Sequence, residues 1–135
     1  MRKLLVIVSI ALALLLAACT PEEADHLAAV NNFRAANGVP GLAWEEGAYV
    51  KAHAWSQQMA NAGALSHSKL SSGVPAGWRR LGENVAMAPT LDGAMRALQN
   101  SPAHRANLLN RQFTKVAIGV VMANGYVWVT EVFIG

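Results

Sequence analysis

Apolar and polar positions alternate along this chain in a few distinct rhythms, and those rhythms predict most of its elements. Leu4 to Leu15 is almost unbroken apolar sequence behind Arg2 and Lys3, too short for a comfortable membrane-spanning helix. From about Glu22 to Asn37, Ala29, Val30, Phe33 and Ala36 recur at helical spacing, and Asn37-Gly38 supplies a stop. Pro40-Gly41 interrupts any helix before Leu42 and Trp44, two apolar anchors. A second helix is predicted from about Glu46 to Ala62, with Ala48, Ala52, Trp55, Met59 and Ala62 as its buried stripe and Gly63 at its end. Leu65 to Ala88 has little periodicity and carries Gly73, Pro75, Gly77 and Gly82, so it reads as one long irregular stretch. Asp92 to Asn100 is a third helix with Ala94, Met95 and Leu98 inward, and Ser101-Pro102 opens a short fourth. Val116 to Met122 and Tyr126 to Phe133 read as strands, and Asn124-Gly125 between them signals a type I′ hairpin. Helices first and an antiparallel hairpin last imply an α+β layered fold.

The amino end changes the picture of where this domain works. A basic start, an apolar run and then Leu16-Ala17-Ala18-Cys19 have the layout of an export signal, and the last four residues resemble a bacterial lipobox. The expected division is a lipoprotein signal peptide over 1–18, a lipidated tether over 19–25 and one domain over 26–135. Lipid on Cys19 would make the membrane a partner, since each buried CH2 contributes about 0.8 kcal/mol. The expected location is extracytoplasmic, and in a host with two membranes the outer one, because no aspartate retention signal follows Cys19. The whole chain has a formal charge of +3. Without Arg2 and Lys3, nine basic residues face eight acidic ones, leaving +1. No basic face is clustered, which argues against nucleic acid as a partner. Cys19 is the single cysteine, so the exported domain must be held by packing without a disulfide.

Candidate chemistry lies in three short polar interruptions: Ser66-His67-Ser68, Gly82-Glu83-Asn84 and Pro102-Ala103-His104. Two imidazoles and a carboxylate are groups that bind transition metals or move protons near neutral pH. His104 as the third residue of its helix lies near the positive end of the helix dipole, which favours a neutral ring. Each has a structural alternative: His104 packing a loop, His67 buttressing the irregular stretch, Glu83 serving as a hydrogen-bond hub. His53 reads as partly exposed packing, and His26 falls in the tether region. Ser66 and Ser68 do not form a triad with His67, since sequence neighbours rarely present that geometry.

These segments, in this order, resemble the CAP superfamily of cysteine-rich secretory, antigen-five and pathogenesis-related proteins in its short bacterial form. The resemblance runs through Arg34 to Gly38, Leu42-x-Trp44, His67-Ser68 and Gly82-Glu83-Asn84-Val85-Ala86. It continues through Ser101-Pro102-Ala103-His104-Arg105, Phe113, Ile118-Gly119-Val120 and Trp128 to Phe133. It implies a three-layer α-β-α sandwich with a small antiparallel sheet and a cavity. Relatives line that cavity with two histidines and two glutamates, and the histidines can hold a divalent metal. His67 and Glu83 match one of each. Gln99 and Asn100 stand where a second glutamate would be expected, Trp128 where a second histidine would be, Leu98 replaces a tryptophan and Glu131 a glutamine.

The resemblance and the residues together give a candidate cavity of His67, Glu83, Asn84, His104 and Glu131. His67 and His104 are candidate zinc ligands, and Glu83 is a candidate general base. The expected function is an envelope-anchored module binding a small-molecule, lipid or envelope ligand. The alternative is a metal-dependent hydrolase acting on peptide or cell-wall substrates.

Overall fold

The computed structural model describes residues 19–135, and the expected signal segment lies outside the described residues. Helix α1 runs Pro21–Ala36, β1 Ala43–Trp44, α2 Tyr49–Ala62, β2 Leu81–Ala88, α3 Leu91–Asn100, α4 Pro102–Leu108, β3 Lys115–Ala123 and β4 Tyr126–Ile134. The strands form one sheet in the order β1-β3-β4-β2. Strands β2, β3 and β4 pair antiparallel, while β1 joins β3 in parallel, so the sheet is mixed rather than wholly antiparallel.

Three layers follow from the alternation of side chains along strands. One sheet face, with Val116, Ile118, Val120, Val129 and Phe133, packs on α1, α3 and α4 through Val30, Ala94, Met95, Leu98 and Leu108. The other face packs on α2: Ala117 and Val132 meet Ala48 and Ala52, and Val85, Val121 and Trp128 meet Met59 and Ala60. Small residues let α2 settle close to β3. A methyl group added at Gly119 would overlap the backbone at Ala52 and His53. Beside this contact the Ser56 hydroxyl donates to the Gly119 carbonyl at 2.9 Å and meets Thr130 Oγ1 at 2.7 Å.

Local signals place the element ends well. Gly63 ends α2 with φ +65, and Asn124 and Gly125 turn the hairpin with φ of +55 and +79. Thr20 caps α1 in a reciprocal capping box with Glu23. Two expectations are overturned. Residues 81–88 are not irregular but form β2, an inner-layer strand buried on both faces, so it lacks the alternation by which a strand is recognised. Residues 21–25 are not a free tether, because α1 already begins at Pro21 and Glu23 is fully buried. In α1 the fully buried residues are Glu23, His26, Val30 and Arg34, spaced three, four and four apart. Three of the four are polar, so hydropathy alone does not reveal the buried face.

Candidate functional site

Three of the four histidines are each paired with a glutamate, and the three pairs differ in depth. His67 Nδ1 lies 2.8 Å from Glu83 Oε1, His53 Nδ1 lies 2.9 Å from Glu23 Oε1, and His26 Nε2 lies 2.7 Å from Glu131 Oε1. The glutamate is buried in every pair, while the imidazole side chain is 62% exposed at His67, 38% at His53 and 0% at His26.

At the most exposed pair, β2 carries Glu83 on the α2 side of the sheet, in register with Val132. The Ser68 backbone N–H donates to Glu83 Oε1 at 2.9 Å, and the Ser68 hydroxyl donates to Oε2. A carboxylate taking two donors from Ser68 acts as an acceptor, so His67 presents Nδ1–H to it and leaves Nε2 facing solvent. Gly82, before Glu83, has a steric rather than a turning role: a Cβ there would lie 2.7 Å from the Phe113 ring.

Strand geometry separates the rest of the expected cavity. Adjacent residues on a strand face opposite ways, so Glu83 looks toward α2 while Asn84 looks toward α1 and α4. Asn84 pairs in register with Glu131 and donates to Glu131 Oε2 at 2.9 Å and to the His104 backbone carbonyl at 3.1 Å. Asn107 of α4 donates to Asn84 Oδ1 at 2.9 Å and to the Glu83 carbonyl at 3.2 Å. The five cavity residues thus form two groups: His67 with Glu83 on one face of the sheet, and Asn84, Glu131 and the His104 backbone on the other. Glu131 supplies no second carboxylate beside Glu83. It is buried against His26, which is a core residue and not part of a tether.

The donors do not fit a zinc centre. Such a centre takes three or four protein ligands around one ion. Among the described residues no three His, Cys, Asp or Glu side chains converge to that extent. Glu83 is committed to His67 and Ser68, so His67 offers one ring nitrogen. His104, half-buried on α4, accepts from Asn84 through its backbone carbonyl, and its ring joins no cluster of three such side chains among the described residues.

Sequence reading missed the Glu23–His53 pair altogether. Strand β1 covers β3 only at Lys115 and Val116. Farther along the same edge, Glu23 Oε1 accepts the Val120 N–H at 3.1 Å. Glu23 therefore closes an open strand edge while holding His53 from the opposite helical layer. Burial pushes its carboxyl up, but hydrogen bonds from His53, the Thr20 and Val120 backbones and Tyr49 outweigh this and hold it below the usual carboxylate range. The Tyr49 hydroxyl is in turn pushed up to about 12, by burial first and then by Glu23. A carboxylate lowered on folding stabilises the fold above its unfolded pKa of about 4.3 and loses that contribution as pH falls through the folded value. The melting temperature should therefore drop between pH 5 and pH 3, on the order of the carboxylate titration range. Glu23→Gln should flatten that drop in thermal melts, and an equal slope in both proteins would refute the assignment. The one available signal in sequence was the Thr20-x-x-Glu23 spacing of a capping box.

Comparison with known proteins agrees with this architecture. Residues 27–133 match the model of the cysteine-rich secretory protein family, CAP. The uncharacterised YkwD protein of Bacillus subtilis strain 168 is 32% identical over 114 residues, covering 78% of this chain and 44% of that protein. The crystal structure of an extracellular protein containing a SCP domain from Bacillus anthracis aligns with a TM-score of 0.72 at 27% identity, over 87% of this chain and 44% of that one. An outer surface protein of Borrelia burgdorferi shares the fold with a TM-score of 0.75 at 14% identity, over 87% of this chain and 95% of that one. The chain thus spans under half the length of the two Bacillus proteins. Matched motifs, layer order and family model agree, and the chain belongs to the CAP family.

Proposed function

We propose that this chain is an extracytoplasmic, lipid-anchored CAP module that binds an envelope ligand at the His67–Glu83 pair. The observation that carries this reading is an imidazole 62% exposed, held by a carboxylate only 3% exposed. A fixed ring with a free Nε2 presents a directed acceptor or, once protonated, a directed donor, and its orientation is set before a ligand arrives. The hydrolase alternative has no comparable support, because among the described residues no third histidine, cysteine or carboxylate joins His67 and Glu83 in one cluster.

Lipid anchoring is supported by the Leu16-Ala17-Ala18-Cys19 signature and by the place of Cys19, partly exposed just ahead of α1. The proteins it resembles include ones described as extracellular and as outer surface. No helix among the described residues is long and apolar enough to cross a membrane. Wild-type protein is expected in the detergent phase after Triton X-114 partitioning. Cys19→Ser should move to the aqueous phase or retain its signal, and an unchanged mature lipoprotein would refute the anchor.

The binding reading is tested by NMR of the full-length protein titrated with a soluble peptidoglycan digest. Shifts should centre on His67, Ser68 and Glu83, disappear in His67→Ala and leave the digest intact by mass spectrometry. Shifts confined to the α1–α3 surface would overturn the site. Cleavage lost in Glu83→Gln would overturn the binding-only role in favour of hydrolysis.

A further inference from the structure

We propose that the groove between α2 and the segment 68–73 holds the free carboxylate end of a short apolar peptide. The inference rests on reading His67–Glu83 as a binding centre, and it names the class of ligand arriving there. Ser68 belongs to both features: its backbone and hydroxyl hold Glu83, and it lines the groove.

The groove is built by the outward side of α2. Val50, Ala54 and Trp55 form an apolar wall, while Ser68, Ser72 and Gln58 contribute a polar rim. Its volume of about 420 Å3 falls within the range of small-molecule sites, roughly 300–1,000 Å3. Gly73 closes it by laying its backbone on the stem of Lys51. At φ +75 it adopts a left-handed conformation, and an added Cβ would lie 3.0 Å from Lys51 Cβ. The polar edge of Trp55 is spent on the Ser66 carbonyl at 2.8 Å, which fixes the ring as a wall. Val50, 71% exposed, has the highest fractional exposure of the large hydrophobic side chains among the described residues.

The charge pattern identifies what should cover that wall. The Lys51 ammonium donates to the Lys69 carbonyl at 2.7 Å, a neutral acceptor. Neither Lys51 nor Lys69 has a carboxylate partner within ion-pair distance among the described residues, where the one lysine ion pair is Lys115–Glu45. Glu83, the nearby acid, already takes its donors from His67 and Ser68. Burial lowers the Lys51 pKa, opposed by the field of Glu83, as expected of an ammonium drawn partly out of water without a paired anion. Two cations beside an apolar wall complement an anion with an apolar body. The polar rim suits peptide amides, and an open trough would leave most of a long alkyl chain in water. These features favour a peptide over a fatty acid.

The test uses the full-length protein with acetyl-Ala-Ala-Leu as free acid, the same peptide as its terminal amide, and laurate, read by tryptophan fluorescence. Saturable quenching by the acid is expected, lost in Trp55→Phe. The amide should bind about tenfold more weakly, and Lys51→Met should weaken the acid alone by about tenfold. Lys69→Met, at an exposed position, serves if Lys51→Met does not fold, with an expected loss of about threefold. Equal binding of acid and amide, indifference to both lysine variants, or saturable binding of laurate in place of the peptide acid would overturn the inference. Digest shifts at His67 with no acid preference would sink the groove and leave the binding centre standing. A lysine-dependent acid preference without any shift at His67 would do the reverse.

Discussion

His26→Ala is expected to lower the unfolding free energy by about 2–4 kcal/mol, from the cavity it opens in the core and the buried hydrogen bond it removes. His26 and Glu131 are both fully buried, with Nε2 and Oε1 2.7 Å apart. Without the imidazole, the buried Glu131 side chain keeps only the Asn84 amide donor at 2.9 Å, and a buried polar group short of a partner is costly. Glu131→Gln, which keeps an acceptor for His26, should cost less, roughly 1–3 kcal/mol. Urea denaturation of both single variants and the double variant gives the coupling directly. Single variants that each lose under about 1 kcal/mol would show that the pair contributes little. The consequence should reach the candidate site, because Asn84 adjoins Glu83 and Asn107 bonds both Asn84 and the Glu83 carbonyl.

The second large effect is expected at Arg34, a fully buried cation with no carboxylate partner among the described residues. Its guanidinium donates to the carbonyls of Pro40 at 2.7 Å, Leu108 at 2.8 Å, Asn110 at 3.2 Å and Phe113 at 3.4 Å. Burial, then the charge of Arg111, lowers its pKa, yet a guanidinium remains charged in a protein. Arg34 thereby ties α1 to two connecting segments, the one that follows it and the one between α4 and β3, whose carbonyls would otherwise be orphaned. A lysine ammonium is compact and cannot span the same fork of acceptors. Arg34→Lys should therefore cost about 2–4 kcal/mol, read as a lower urea midpoint at unchanged slope. A loss under about 0.5 kcal/mol, the range of ordinary surface substitutions, would show that water replaces the fork at little cost.

Much of the fold is legible in sequence because its signals act over a few residues. Asn124-Gly125 tolerates positive φ where a hairpin needs it, Gly63 accepts the left-handed cap of α2, and Pro102 starts α4. Ala48 and Ala52 face the sheet as their spacing predicts, whereas Trp55 lies partly exposed and Ser56 takes the buried place between Ala52 and Met59. β2 escaped notice because burial on both faces removes the period-two pattern that marks a strand.

The candidate site was legible only in part. Sequence singled out His67 and Glu83, and they meet. It also singled out Asn84 and Glu131, which pair on the other face of the sheet, and His104, which meets them there through its backbone carbonyl alone. The amino-acid sequence by itself determined the family, the helix stops, the hairpin turn and the polar residues available for chemistry, because each depends on neighbours along the chain. Which glutamate each histidine meets, and on which side of the sheet, depends on the register of β2 against β4 and on the packing of α1 across β3. Alternation along β2 sends Glu83 and Asn84 to opposite layers, and no local signal states which layer lies where. Tertiary packing alone made a core pair of His26, a strand-edge clasp of Glu23 and an exposed, directed ring of His67.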